Sequence, residues 1–460
     1  MRGTIGVMSS TTREKQARSG LTLLVASLTF GLFFGAGNLI FPASLGVQSG
    51  SATMWTTLGF LLTAVGLPII GVIAAARSET RSLHELASRV SPGFAVFFTA
   101  ALYLTIGPFF AVPRTATVSY EMGFSSLLPE GFGGWGLFLF SLVFFGLVTA
   151  AALRPGKLMD YVGKYLTPLF IVLLSAVLIA AFVAPMGAAS ESPIGDYVSQ
   201  PFAQGLLDGY NTMDALASLA FSIVILEAVR QRGVTDPKRM ATAVTKGGLI
   251  AALLMAIIYS SLAYMGATAT GLESRDVNGA VVLSTTANHY YGAIGMALAA
   301  AIMLVACLKT AIGLVTACSE MFAEMFPKAL SQRAWVIVFS VISCALANVG
   351  LDMIIGAAVP VLRFLYPIAI MLIVLALLGP VVARKRLVYV VTITVTALAS
   401  LLDIAQLAPD VPGLSSLVEV CKAVLPGYEL GFGWVAPALL ALAVSLVIAF
   451  ASGTKKPAAA

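Results

Sequence analysis

FGLFFGAGNLIFPASLG, residues 30–46, is apolar on both sides of Gly35-Ala36-Gly37-Asn38. Two glycines and an asparagine, all poor helix formers, stand in the middle of a run long enough to cross a bilayer. Inside hydrocarbon an unwound backbone survives only where it is buried in protein or lines a wet cavity. The stretch therefore predicts a membrane-spanning helix that is broken on purpose, provided the chain is a membrane protein.

Composition settles that condition. The 460 residues are 59% hydrophobic and 10% charged, against roughly 25% charged in soluble domains, and the mean hydropathy is +0.96. So few charges cannot cover a soluble surface. Apolar runs able to span a hydrocarbon core of about 30 Å predict twelve spans, at 21–46, 51–76, 93–122, 135–153, 157–184, 201–229, 241–266, 291–320, 333–350, 354–382, 387–405 and 431–452. The fold class is an all-α polytopic membrane protein with the lipid bilayer as its first partner. The stretches 185–200, 267–290 and 406–430 are long loops with room for short helices.

Lys and Arg set the orientation. With the N-terminus in the cytoplasm, the inside collects Arg2, Arg13, Lys15, Arg18, Arg77, Arg81, Arg89, Arg154, Lys157, Arg230, Arg232, Lys238, Arg239, Lys328, Arg333, Arg384, Lys385, Arg386, Lys455 and Lys456, and the outer side gets Arg275 and Lys422. Both termini are expected inside. The net charge of +6 follows from this topology and implies no nucleic acid. A basic start before an apolar run also describes a signal peptide, but the run resumes at Leu39 and continues to Val47, so the segment is expected to remain as span one.

Catalytic chemistry has no anchor. Cys307, Cys318 and Cys344 fall in predicted spans and Cys421 in an outer loop, and neither His84 nor His289 has a second ligand nearby, so no disulfide framework, metal cluster or nucleophile–base set assembles. No phosphate-binding glycine motif precedes a helix. An enzyme is not expected, no cofactor is required, and a channel reading lacks a ring of like residues or a filter sequence.

What a broken helix offers is a pair of opposed ends. The N–H groups that start its second half carry partial positive charge and the carbonyls that end its first half partial negative charge. Together they suit a zwitterion, and Asn38 adds an amide oxygen for a cation. Close helix packing would equally account for Gly35 and Gly37 taken alone. Span six tips the reading: LDGYNTMDALASLAFSIVILEAVR, residues 207–230, opens with Asp208, Asn211, Thr212 and Asp214 before turning apolar. A break near Ala217-Ser218-Leu219 would fall one five-span unit after the first, the arrangement of transporters built from inverted repeats. Buried charges in spans seek partners or cavities, and Arg114 of span three is expected to pair with Asp214.

GLFFGAGNLIFPASLG, YLTIGPFFAVPRTATVSYEMG (103–123), GYNTMDALASLAFSIVI (209–225) and CLKTAIGLVTACSEMF (307–322) together resemble the bacterial branched-chain amino acid carrier family of the BrnQ type. That resemblance implies cation-coupled uptake of leucine, isoleucine and valine at the bacterial cytoplasmic membrane. Gly37-Asn38 with Phe41-Pro42 also resembles span one of LeuT-like sodium symporters, which implies five-plus-five inverted repeats with discontinuous spans one and six and two peripheral helices. The units would be 1–20 (tail), 21–184 and 201–382 (the two repeats), 387–452 (peripheral helices) and 453–460 (tail). Substrate contacts are then expected at Gly35, Ala36, Gly37, Leu39, Ala217, Ser218, Leu219 and Phe221, with Tyr103 as a gate or carboxylate partner. The walls so defined are apolar, which favours a small neutral aliphatic amino acid; other small neutral amino acids remain the alternative substrate class.

The coupling ion is expected to be monovalent, Na+ or H+. The resemblance implies a sodium ligand at Asn38 and a second sodium site between the first break and two hydroxyl residues of span eight. Here that pair is Lys309-Thr310. Thr310 suits the site and Lys309, which has no acceptor, does not. Either Lys309 turns away and pairs with an acid such as Asp214, or it takes the sodium position and exchanges a proton through the cycle, a part Lys164 could also play; a shift in the placement of span eight is the third possibility.

Overall fold

The computed structural model describes residues 10–77, 82–123, 133–154, 167–234, 236–270, 272, 274–382, 385–407 and 414–451. Each predicted span contains helix where its residues are described. Span one comes in two pieces, Ser10–Phe33 and Gly37–Ser49. Span two runs Thr53–Leu61 and Leu67–Arg77 through a π turn at Leu62–Gly66. Span three has its own interruption, Pro92–Leu104 and Ala111–Gly123 flanking Thr105–Phe109, where Gly107 leaves helical angles at φ −99°, ψ −121° beside Pro108. Spans four and five are Gly133–Ala152 and Thr167–Val183. Span six is again split, into Pro201–Tyr210 and Asp214–Gln231, bent by 42°. Spans seven to twelve are Pro237–Ala267, Gly279–Met325, Gln332–Ala347, Leu351–Leu377, Arg386–Ile404 and Val435–Ala451.

Among the described residues, seven helical stretches are long and apolar enough to cross a bilayer alone and the bent pair of span six makes an eighth. Four shorter apolar helices, Gly20–Phe33, Thr167–Val183, Gln332–Ala347 and Val435–Ala451, serve spans one, five, nine and twelve. The protein is an all-α polytopic membrane protein.

Span eight extends beyond its predicted start. The helix begins at Gly279, where the Asn278 side chain accepts from the Ala280 and Val281 N–H groups at 3.0 and 3.2 Å, and it turns sharply at Gly292, φ 56° and ψ −138°. Residues 279–291 are thus a short helix in the predicted 267–290 loop, which the apolar count alone left outside the membrane run. In the same region the guanidinium of Arg275 caps the end of span one, donating to the Val47 carbonyl at 2.5 and 3.1 Å and to the Ser192 carbonyl at 2.5 Å. A cation on the carboxyl end of a helix is favoured by the helix dipole.

The packing obeys an inverted repeat. Span one lies along span seven with both its pieces, and span six lies along span two with both of its pieces. An exchange of span one with six and two with seven maps the first contact onto the second. Helices in lipid gain nothing from hydrophobicity at such contacts, so small residues bring the backbones together. A Cβ on Gly46 would sit 2.0 Å from the Ala263 carbonyl oxygen, and one on Gly266 would sit 2.1 Å from that of Ala43. At the other contact a Cβ on Gly205 would lie 2.0 Å from the Thr56 oxygen.

Gly205→Val therefore forces span six off span two and is expected to cost about 1–3 kcal/mol or more. The check is the unfolding midpoint of the detergent-purified protein. Gly146→Val, at a glycine whose added Cβ meets nothing within 4 Å, should leave it unchanged. Equal midpoints for the two variants would contradict the close-contact account.

Candidate substrate and cation site

The three interruptions meet. At span one the helix ends with the Phe34 N–H bonded to the Phe30 carbonyl at 2.9 Å, and the second piece restarts with Leu39 and Ile40 donating to the Ala36 carbonyl at 3.1 and 3.2 Å. Asn38 closes the gap from within: its Oδ1 accepts the Gly35 N–H at 2.9 Å, while its amide nitrogen donates to the Asp214 carboxylate and to the Tyr259 hydroxyl of span seven. One buried side chain thus joins both broken spans and span seven.

At span six the break lies at Asn211-Thr212-Met213, not at Ala217-Ser218-Leu219, which are helical. Met213 adopts the left-handed region at φ 63°, ψ 8°, an uncommon position for a residue with a long side chain. The Thr212 hydroxyl accepts from the Asp214 N–H at 3.4 Å and donates to the Gly209 carbonyl at 2.9 Å. Placing Asp214 in the first turn of the second piece sets its negative charge at a helix N-terminus, where the dipole favours it. That local electrostatic preference, with the hydroxyl and amide run before it, moves the break to 211–213. Asparagine and threonine were in view in the sequence; the left-handed methionine carries no residue-type signal.

A cavity of about 30 Å³ lies between the breaks, lined among others by Gly35, Ala36, Gly37, Asn38, Arg114, Thr115, Thr212, Asp214, Ala217, Phe221 and Thr310. It has room for a water or two, so an amino acid can enter only if the surrounding spans separate. Leu39, Tyr103, Ser218, Leu219 and Lys309 do not line it. Leu39 is fully buried in the core. Tyr103 is buried too, and its carbonyl accepts from the Cys318 thiol at 3.3 Å. Ser218 bonds the Ala215 carbonyl at 2.7 Å and stands against Gly71 of span two, and Leu219 faces Ala75 and Leu83.

Span eight brings Thr310 to the first break. A Cβ on Gly35 would approach the Thr310 hydroxyl oxygen to 2.7 Å, and that buried oxygen has no hydrogen-bond partner. Lys309, one residue earlier and 2% exposed, points elsewhere: its Nζ lies 5.3 Å from the Phe170 ring centre of span five and 5.8 Å from that of Phe30, with no hydrogen bond. It does not pair with Asp214. Lys164 lies outside the described residues.

The expected Arg114–Asp214 ion pair is absent as well. Arg114 instead donates from Nη1 to the Asn211 carbonyl at 2.9 Å and stacks its guanidinium 5.1 Å over the Phe41 ring. Sequence reasoning placed this arginine in a bundle-stabilising pair because opposite charges buried on neighbouring spans ordinarily meet. Arg114 follows the interruption at Gly107-Pro108 and lies in the first turn of Ala111–Gly123. Tyr259 was missed altogether, since an isolated tyrosine in an apolar span looks like any core residue.

Two broken spans meet beside one cavity in a bundle whose spans pack in equivalent pairs. The fold is similar to that of Mhp1, a nucleobase-cation-symport-1 family transporter (TM-score 0.59, 14% identity, 94% of this chain and 93% of that one), and to that of a manganese transporter of Eremococcus coleocola (TM-score 0.55, 13% identity, 97% and 98%). The sequence signature described as branched-chain amino acid transport protein matches residues 19–452. Branched-chain amino acid permease BrnQ of Lactobacillus delbrueckii subsp. lactis is 46% identical over 92% of this chain and 95% of its own length. Permease BraB of Bacillus subtilis is 41% identical over 95% and 97%. The chain belongs to the branched-chain amino acid transport protein family; it is a multi-pass membrane carrier and not an enzyme.

Gly37→Leu tests the cavity. A Cβ there would come within 2.9 Å of the Arg114 Nη2 and 3.3 Å of the Phe41 ring, and the rest of the leucine must enter the cavity. The variant is expected to insert and purify as a single species while substrate uptake falls to background. Uptake at the wild-type rate would remove this cavity from the transport path.

Proposed function

We propose that the protein imports leucine, isoleucine and valine across the bacterial cytoplasmic membrane, both termini inside, in symport with a monovalent cation. The observation that carries the reading is the single cavity onto which both half-helix breaks open. Free N–H groups begin the second piece of span one, carbonyls end the first, and Asp214 adds a negative charge; these are the needs of an amino acid's two ends. Ala217, Phe221 and Phe33 supply only apolar surface for a side chain. Each methylene buried there is worth about 0.8 kcal/mol, which ranks leucine, isoleucine and valine above alanine. Substrate and ion would drive alternating access by binding outward and inward states unequally.

Sodium is the favoured ion. The Thr310 hydroxyl beside Gly35 is buried without a hydrogen-bond partner and is an oxygen of the kind a hard cation takes, and Lys309 has turned from it toward Phe30 and Phe170. Asn38 keeps one oxygen lone pair beyond its bond to Gly35. Proton coupling stands second on one observation: the Lys309 amine is buried without a hydrogen-bond partner, an arrangement whose charge is costly to keep and which a carrier can exploit by exchanging a proton.

The tests use labelled leucine in proteoliposomes with sodium and proton gradients imposed separately. Uptake should follow the sodium gradient, and excess isoleucine or valine should compete while lysine and glutamate do not. Thr310→Ala should raise the sodium concentration for half-maximal uptake roughly tenfold or more, the loss of about 1.5 kcal/mol from one ligand to a charged group. Lys309→Met separates the ions: retained sodium-driven uptake supports the first reading, and collapse of uptake driven by a pH gradient supports the second. Strong inhibition by lysine would overturn the proposed substrate class.

A further inference from the structure

Arg114 is a buried cation with no acid in contact with its guanidinium among the described residues. It is 4% exposed, lies within a membrane span, and lines the central cavity together with Asp214; yet the two form no ion pair. Asp214 is held by the Asn38 amide. Of the five N–H donors of the guanidinium, Nη1 is bonded to the Asn211 carbonyl at 2.9 Å. Nε is buried with no partner at all. Nη2 lies against Gly37, 2.9 Å from where a Cβ would stand, which the absence of a side chain at residue 37 permits.

The position of these donors matters. Gly37 and Asn38 begin the second piece of span one, so their N–H groups lack intrahelical acceptors and carry the positive end of that helix. A planar guanidinium with unspent donors beside such an end is a site for a carboxylate, which it can hold through two parallel hydrogen bonds. The Phe41 ring at 5.1 Å and the bond to Asn211 keep the guanidinium in place without an anion. Asp214, left unpaired with Arg114, remains for positive charge, whether the substrate's ammonium or the coupling ion.

We infer that Arg114 receives the α-carboxylate of the transported amino acid, so that the substrate's own charge completes an ion pair the protein withholds. The inference rests on the cavity being the substrate site of the proposed carrier. It also assigns Arg114 a second effect: because Nη1 holds the break of span six and Nη2 lies against the break of span one, a bound carboxylate would draw the two breaks together through one side chain.

Analogues that lack one charge provide the test. The full-length protein in proteoliposomes takes up labelled leucine in competition with unlabelled leucine, leucinamide, whose carboxylate is neutralised, and 4-methylpentanoate, which lacks the ammonium. Wild type should prefer leucine to leucinamide by roughly 100-fold, the worth of hydrogen bonds between charged groups. Arg114→Gln should weaken leucine toward the level of leucinamide and leave leucinamide little changed, so that the ratio collapses. Arg114→Lys, which keeps the charge and loses the fork, should give an intermediate ratio. Should Arg114→Gln fail to purify as a single species, the lysine variant decides alone: a leucine KM and a leucine-to-leucinamide ratio equal to wild type would overturn the inference. The same result in Arg114→Gln would overturn it too. Absence of leucine uptake by the wild-type protein would instead remove the underlying carrier reading, and the inference with it.

Discussion

Hydrocarbon offers no hydrogen-bond partner, so every backbone N–H or C=O that leaves a helix within the membrane must find one inside the protein. That requirement organises the centre of this molecule. Spans one, three and six all interrupt beside the same cavity, and several of the backbone groups freed there are answered by side chains. Asn38 turns back to the Gly35 N–H, Thr212 bridges Gly209 and Asp214, and Arg114 reaches from span three to the Asn211 carbonyl. The polar groups needed to keep the breaks open are the same groups that line the cavity. A carrier gains from this economy, because no separate set of binding residues has to be buried at further cost.

The scaffold around the breaks is held by contact distance more than by chemistry. Spans one and seven, and spans six and two, approach until a glycine on one helix faces a carbonyl on the other. Those two contacts are equivalents under the inverted repeat. Aromatic rings fill the space beneath the first break, with Phe34 lying 5.0 Å from both Phe30 and Phe170 and 5.5 Å from Tyr259. The same rings receive Lys309. Its ammonium end therefore rests among spans one and five, where relative movement of those spans would be felt by the amine.

Charge is distributed in an uncommon way. A membrane bundle normally spends its buried acids and bases on one another, whereas Arg114, Asp214 and Lys309 are each buried and none forms an ion pair with another. Asp214 has an amide, Arg114 a carbonyl and a ring, Lys309 two rings. Buried charges without an ion-pair partner contribute little to the stability of the bundle.

Much of the architecture was legible in the sequence, because hydropathy is a sum over a window and needs no partner. Twelve apolar runs, their loops, and the break at Gly35-Ala36-Gly37-Asn38 all follow from local composition, as does the family resemblance carried by four segments. The site was legible in part. Asn38, Asp214 and Thr310 were singled out by residue type in an apolar setting, and the structure brings all three onto one cavity. What residue type could not decide was direction. The break of span six sits at a left-handed methionine rather than at a small residue, and the Asp214 that follows it meets Asn38 across 176 positions of sequence. Arg114 misses Asp214, Lys309 turns to Phe170, and Tyr259 joins the polar cluster, each because helices distant in sequence pack at a particular rotation. Local pattern determines which segments enter the membrane; the rotation of each helix about its own axis, and with it which side chains meet, is set only when all the spans pack together.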